Sequence, residues 1–408
     1  MLIGEAARVL ASPAGREDPY PAYAALRAHG PVVRLGPGFY AATGYDAISA
    51  LLRDPRLRVR GWPDGPASRL VADSLMKSNG TGHTRVRRLM AAAFAPRQVE
   101  ALREAVTAQA VRLADYLAHL GGSGEAVDFM DEFAYPMPIR VICALLGVPA
   151  AEQQWFRERA QEMTEVLEPR QPGSHTIAAD RAATELEAYF TDLVRSRRNA
   201  PGDDLISALI ATHDADGDLS TRELIANLVT LLLAGFETTA NLLGNGMGVL
   251  LDHPGPASRL GADPGLADAY VEELLRLESP LQLTSRWAAE EVDIDGADRI
   301  EANSHIMVFL GAGNRDPDRF PDPDRFDPFR ESVQPLSFGA GAHYCLGAAL
   351  ARLEARIAFP VLLARLPAME RAGEAVRRDR TTFRGYANLP VYTEKLDRPT
   401  LLGLPGTR

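Results

Sequence analysis

The chain has 408 residues, 46% of them hydrophobic, so it can bury a large core, and length alone allows two or three domains. Its 44 basic and 54 acidic side chains leave a formal net charge of −10, which argues against binding nucleic acid. Two cysteines, Cys143 and Cys345, make no disulfide framework and fit a reducing cytoplasm.

No Ser/Gly linker, charge block, repeat or low-complexity tract marks a domain boundary. The first twenty residues lack the apolar run of a signal peptide or membrane anchor. Residues 31–43 read as two short strands about the turn Gly36-Pro-Gly38. Helical spacing of apolar residues runs over His83–Phe94, Gln98–Leu120, Pro138–Leu146 and Ala151–Leu167. A Pro/Gly break at Glu168–Ser174 follows, and helix resumes to Arg198. Asp214-x-Asp-x-Asp218 has the spacing of a calcium loop, but Leu219 stands where glycine is needed and Ile225 where glutamate is needed, so a polar turn is expected. Ser220-x-x-Glu223 is a capping box opening a long helix. Its stretch Leu224–Leu251 is apolar enough to resemble a membrane span, but Asn227, Glu237, Asn241 and Asn245 interrupt it, which fits a buried helix. Leu266–Glu278 is helical, 283–309 holds short strands, and 311–337 is Pro-rich and irregular.

The chemistry gathers in the run from Phe338 to Gly347, Phe-Gly-Ala-Gly-Ala-His-Tyr-Cys-Leu-Gly. Helical spacing follows Cys345, so its thiolate would sit at a helix N-terminus, where unpaired N–H groups favour an anion. Glycines let such a loop approach a flat cofactor closely. A thiolate is also the iron ligand that promotes O–O cleavage in haem enzymes. The alternative is an inert buried cysteine beside a Gly-rich turn. Glu237 and Thr238 stand in mid-helix after Ala234-Gly235, where an acid and an alcohol are poor helix material. They read as a proton-handling pair, or else Glu237 pairs with a distant cation and Thr238 merely packs.

This constellation resembles the cytochrome P450 family. Phe338, Gly339, Gly341, His343, Cys345 and Gly347 match its haem-binding loop, and Glu273-Leu-Leu-Arg276 its Glu-x-x-Arg helix. Ala234-Gly-Phe-Glu-Thr-Thr239 matches its oxygen-activating segment, and His83-Thr-Arg-Val-Arg87 a propionate-binding helix of bacterial members. Asn314-Arg-Asp-Pro317 and Pro323-Asp-Arg-Phe326 match the approach to the haem loop. The resemblance implies one mainly α domain over residues 1–408, with a smaller β portion at 31–60, 283–310 and 380–395. Haem b would lie between the long central helix and the helix after the cysteine loop. Cys345 would ligate the iron, with Phe338, Gly339, Gly347 and Ala234 against the cofactor and His83, Arg87, Arg286 and His343 on its propionates. Glu273 and Arg276 would join Arg325 in a structural trio.

The same resemblance implies that Thr238 orders a water and Glu237 relays protons to bound O₂. That pair favours O₂ and two electrons over peroxide. The expected reaction is insertion of one oxygen atom into a C–H bond or alkene of a medium-to-large, partly apolar molecule, in polyketide, terpene or peptide tailoring. Ring coupling, desaturation or rearrangement, and a haem protein without turnover, are the alternatives. Pocket residues are expected at Trp62, Leu75, Met76, Met163, Leu167, Leu232, Leu233, Phe236, Leu281, Gln282, Leu283, Thr382 and Phe383, with the 168–174 break letting a lid move. No flavin or iron–sulfur segment is present, so electrons are expected from a ferredoxin and its ferredoxin reductase. Arg85, Arg88, Arg97, Arg103, Arg112, Arg352 and Arg356 could form the docking patch. A cytoplasmic monomer that contacts no membrane is expected. Three features depart from the family: Asn79-Gly-Thr-Gly82 replaces an acidic-Pro-Pro-Glu run, Glu301-Ala-Asn303 replaces Pro-Ala-Gly, and Pro360 falls inside the last long helix, where it should introduce a kink.

Overall fold

A computed structural model describes residues 1–61, 64–169, 177–202, 204–216, 219–294 and 299–394, without the side chains of 212–216. The helices that build the site are α1 (Gly80–Ala91), α2 (Arg103–Gly121), α3 (Pro136–Leu145), α4 (Gln153–Met163), α5 (Ile177–Asn199), α6 (Thr221–Asp252), α7 (Ala267–Leu277) and α8 (Ala348–Arg365).

The 32-residue α6 is the element around which the others pack. The capping box forms in full: the Ser220 hydroxyl accepts from the Glu223 amide at 3.1 Å, and the Glu223 carboxylate accepts from the Ser220 amide at 2.8 Å. Helices α3, α4, α5, α7 and α8 all pack against it, so its apolar surface is spent inside the protein. Two of the asparagines that interrupt its apolar run tie other segments to it. Asn227 accepts from the Leu75 amide at 2.8 Å, and Asn245 donates to the Arg384 carbonyl at 2.8 Å. These two buried amides therefore have partners, as burial of a polar group requires, whereas Asn241 bonds only Glu237 of the same helix.

Among the described residues the largest sheet has five strands, Val32–Gly36, Phe39–Ala42, His305–Val308, Thr284–Ala288 and Leu57–Arg58 in spatial order. Its alternation buries Val32, Tyr40, Ile306 and Val308 against the helix Tyr45–Arg53. Smaller sheets join Val127–Asp128, Pro390–Tyr392 and Glu370–Arg371, and pair Val376–Arg377 with Tyr386–Asn388.

Two differences from the sequence reading stand out. The helix expected over Gln98–Leu120 is divided at Leu102 into Pro96–Ala101 and α2. Asp214 and Asp216 end a helix, Leu205–Asp216, rather than forming a turn, and Asp218 lies outside the described residues. The 168–174 break is described only to Pro169. Helix α8 runs on through Pro360.

Glu278, just beyond α7, anchors the C-terminal segment. Its carboxylate accepts from Arg384 at 2.8 Å, Arg315 at 3.0 Å and Arg377 at 3.3 Å, and it is buried. Burial alone would raise it, but Arg384, Arg377 and Arg315 pull it from the ordinary 4.5 down to about 2. A carboxylate depressed on folding stabilises above its unfolded pKa and loses that stabilisation as pH falls through its folded one. That shift corresponds to about 3 kcal/mol, which is present at pH 7 and declines between pH 4.5 and 2. Urea denaturation of wild type and Glu278→Gln across this range should show the wild-type advantage shrinking on acidification. A constant advantage would exclude the linkage.

Candidate functional site

Cys345 is presented by a loop whose shape has identifiable causes. Its amide donates to the Phe338 carbonyl at 2.9 Å, closing the loop. Gly341 has φ +68°, and a Cβ there would lie 2.3 Å from the Leu52 carbonyl oxygen, so only glycine fits. Before this loop, the Ser337 hydroxyl donates to the Leu275 carbonyl at 2.7 Å and accepts from Asn314 at 2.9 Å. Arg352 on α8 lies over the Phe338 ring, 4.4 Å from its centroid, and binds both Glu272 oxygens at 2.5 and 2.9 Å. The thiol faces a cavity. Burial raises its pKa, and the Gly347 amide, Arg87, Arg352 and the Ala348 amide oppose the rise. Those two amides sit at the start of α8, where an anion is expected to be favoured.

The cavity holds about 370 Å³. Cys345, Leu346 and Leu350 border it, as do Ala234, Thr238 and Leu242 of α6. One part of its wall is basic. Lys77, His83, Arg87, Arg286 and His343 all line it, and Glu354 is the one carboxylate lining it among the described residues. Arg87 donates to the Tyr344 carbonyl at 2.7 Å, and Arg286 to the Ser285 carbonyl at 2.8 Å. The His83 and His343 rings lie 4.2 Å apart, and His83 Nε2 is buried with no partner among the described residues. Burial lowers Lys77 and takes Arg286 down to about 10. Burial, with Arg286, His83, Arg87 and Lys77, pushes His343 down to about 3. The two imidazoles are therefore neutral at pH 7, while three cations crowd together without a matching acid. A thiol and this set of donors around one cavity fit haem and its two propionates, since charge-assisted bonds to carboxylates are the strong kind.

On α6 the expected acid and alcohol point to different places. The Thr238 hydroxyl faces the cavity and donates to the Ala234 carbonyl at 2.7 Å. Glu237, 1% exposed, turns away from it and pairs with Arg378. Its Oε1 also accepts from Asn241 at 3.4 Å, and its Oε2 has no partner among the described residues. The pairing half of the alternative reading therefore holds for Glu237. Gly235 lets α3 approach, because a Cβ there would meet Ile142 at 3.3 Å.

Glu273 and Arg276 pair at 2.7 Å through both oxygens, with both side chains fully buried. All five Arg276 N–H donors are used, on Glu273 and on the carbonyls of Asn314, Pro323 and Arg325. Arg325 is not the third member of the trio. Its side chain is 64% exposed and pairs with Asp327, so only its carbonyl takes part. Arg330 takes that place, reaching Glu273 at 3.1 Å from a side chain that is 9% exposed.

Leu75, Met76, Leu167, Leu233, Leu281, Leu283, Thr382 and Phe383 line the cavity. Met163, Leu232, Phe236 and Gln282 do not. Met163, Leu232 and Phe236 face the helical core, and Gln282 donates to the Ser279 carbonyl at 2.8 Å beneath the sheet. Trp62 lies outside the described residues. Of the expected docking arginines, Arg85, Arg103, Arg352 and Arg356 pair with Glu223, Glu100, Glu272 and Asp268. Sequence reasoning missed Arg330, Arg378 and Glu354. Glu354 is buried and held up at about 8 by burial. Its position on the inner face of α8, nine residues past Cys345, was the available signal. Arg378 gave none, since it lies in an arginine-rich hairpin far along the chain.

A family profile described as Cytochrome P450 matches residues 27–263 and 265–377. The cytochrome P450 monooxygenase PikC of Streptomyces venezuelae is 40% identical over 388 residues, 92% of this chain and 91% of that one. The 6-deoxyerythronolide B hydroxylase of Saccharopolyspora erythraea is also 40% identical, over 92% of this chain and 96% of its own. CYP164A2 of Mycobacterium smegmatis, solved free of ligand, superposes with a TM-score of 0.88 at 34% identity, covering 95% of this chain and 100% of that one. A thiol and a basic wall around one cavity, with a buried Glu-x-x-Arg pair holding the approach to the cysteine loop, agree with these matches, and the chain belongs to the cytochrome P450 family as one of its monooxygenases.

Proposed function

We propose that this monooxygenase inserts one oxygen atom of O₂ into a C–H bond or alkene of a medium-to-large, partly apolar natural product, with electrons from a separate ferredoxin. The observation that carries this reading is that the Thr238 hydroxyl and the Cys345 thiol open into the same cavity, whose other walls are largely apolar. Apolar walls with a few placed polar groups are what a ligand site of this class needs. One relative is named for hydroxylating 6-deoxyerythronolide B, which supports a natural product of that scale.

Haem, when bound through Cys345, supplies the activation of O₂. The residues around it do the rest. Arg87 and Arg286 would hold its carboxylates, with His83 and His343 beside them. The Thr238 hydroxyl, anchored to the Ala234 carbonyl, keeps its lone pairs free to accept a bond from a water in the cavity. Glu237 is the acid behind it, and protons reach Thr238 from that side. Leu167, Thr382 and Phe383 close the apolar end over the substrate and exclude water. The protein works as a cytoplasmic monomer.

Spin-state titration of the haem-loaded protein against a natural-product library should find a ligand, and labelled dioxygen should place one labelled atom in its product. Turnover without label in the product would overturn the reading. With that ligand, Thr238→Ala should cut product formed per electron pair about tenfold and divert the remainder to hydrogen peroxide. Unchanged coupling would remove Thr238 from proton delivery.

A further inference from the structure

We infer that residues 378–384 form a strap tying Glu237 to the turn at residues 164–168, with Arg378 as the positioning residue that holds the acid. The inference rests on the reading of Glu237 as the proton-relay acid.

At one end of the strap, Arg378 pairs with Glu237 from a side chain that is 14% exposed. Its amide donates to the Gly385 carbonyl at 3.0 Å, which fixes the base of the loop. The middle of the strap is held by a different acid. The Glu168 carboxylate accepts from three successive amides, Thr381 at 2.8 Å, Thr382 at 2.9 Å and Phe383 at 3.4 Å. The Thr382 hydroxyl donates to the Leu167 carbonyl at 3.0 Å, and Arg380 pairs with Glu165.

Residues 164–168 form the turn of helix that ends α4, and Leu167 lines the cavity. Thr382 and Phe383 line it too. A ligand that displaces this turn therefore displaces the strap, because three amides and a hydroxyl move with Glu168 and Leu167. The strap is only a few residues long, and Arg378 is four residues from Thr382, so the displacement reaches the Arg378 guanidinium. Glu237 has one oxygen held by that guanidinium and the other without a partner among the described residues, so its orientation follows Arg378. A carboxylate that is 1% exposed cannot turn to water when its cation shifts. It must move with the cation or turn towards the cavity side of α6. The arrangement makes proton supply depend on how the turn at residues 164–168 sits beside the substrate cavity.

The test uses the full-length, haem-loaded protein without substrate. The first readout is hydrogen exchange by mass spectrometry. Glu237→Gln removes the charge at one end of the strap, and exchange at the far end, in peptides covering 164–168 and 381–383, should rise about tenfold. The Asp327 amide, bound to Glu273, serves as the control for general loosening. Exchange that rises only near residue 237 overturns the strap. The second readout is the solvent isotope effect on O₂ uptake in H₂O and D₂O, with NAD(P)H, ferredoxin and ferredoxin reductase supplying both electrons. Glu168→Gln, which leaves Arg378 and Glu237 in place, should change it about twofold, and Arg378→Met should do the same. Arg378→Lys should recover most of the wild-type value. The double variant should be no worse than Arg378→Met alone, and additive effects overturn the coupling. An unchanged isotope effect in Glu237→Gln overturns the relay reading instead, whatever the exchange data show.

Discussion

Cys345→Ser should lose the red-shifted Soret band of the reduced protein under carbon monoxide and all O₂-dependent turnover, while the chain remains folded. The thiolate donates electron density that an alcohol cannot, and this push is what favours O–O cleavage. The rest of the loop does not depend on the sulfur. The Cys345 amide closes on the Phe338 carbonyl, Arg352 braces the Phe338 ring, and Ser337 is bonded on both sides. Circular dichroism should therefore match wild type, and haem should still be retained through the basic wall. A variant keeping the red-shifted band would remove Cys345 as the ligand.

Glu273→Ala should be the most destabilising single change, by about 3–5 kcal/mol, because it leaves Arg276 charged and buried without its partner. Arg276 also carries the carbonyls of Asn314, Pro323 and Arg325, so its loss of orientation loosens the approach to the cysteine loop. Arg330→Ala should cost less, since Arg276 still neutralises Glu273. Arg325→Ala should stay within about 0.5 kcal/mol, as an exposed pair with Asp327 contributes little. Denaturant midpoints of the three variants give the order directly. Equal losses for Arg325→Ala and Arg330→Ala would contradict the assignment of the third position.

What could be read in the chain beforehand follows a physical division. The capping box of α6 and the Glu273–Arg276 spacing are local, so their partners lie within a few residues, and the glycines of the cysteine loop are legible as a motif. His83 and Arg87 share a face by helix geometry, and so were also visible. Arg330 and Arg378 act across 57 and 141 residues of separation, and no local pattern announces such pairs. The resemblance points to Arg325 because it lies inside the matched Pro323-Asp-Arg-Phe326 segment. The choice between Arg325 and Arg330 depends on how residues 321–330 fold back on Glu273, which only tertiary structure sets. Apolar residues of α4 and α6 failed for a different reason. Helical periodicity marks Met163, Leu232 and Phe236 as inward-facing, but it cannot tell an inner face on the core from one on a cavity.

The basic wall also bears on how the chain matures. Lys77, Arg87 and Arg286 line one wall, where burial disfavours the charge on Lys77 and Arg286, with His343 too weakly basic to share the load and the one lining acid, Glu354, held up at about 8. Those like charges repel in the bare polypeptide, and a dianionic cofactor is their counter-ion. Haem capture and final compaction are then one linked equilibrium, in which every increase in available haem raises the folded fraction by mass action. Cells short of haem would accumulate a loosened chain exposed to proteolysis, so the supply of cofactor sets the amount of protein as well as its activity.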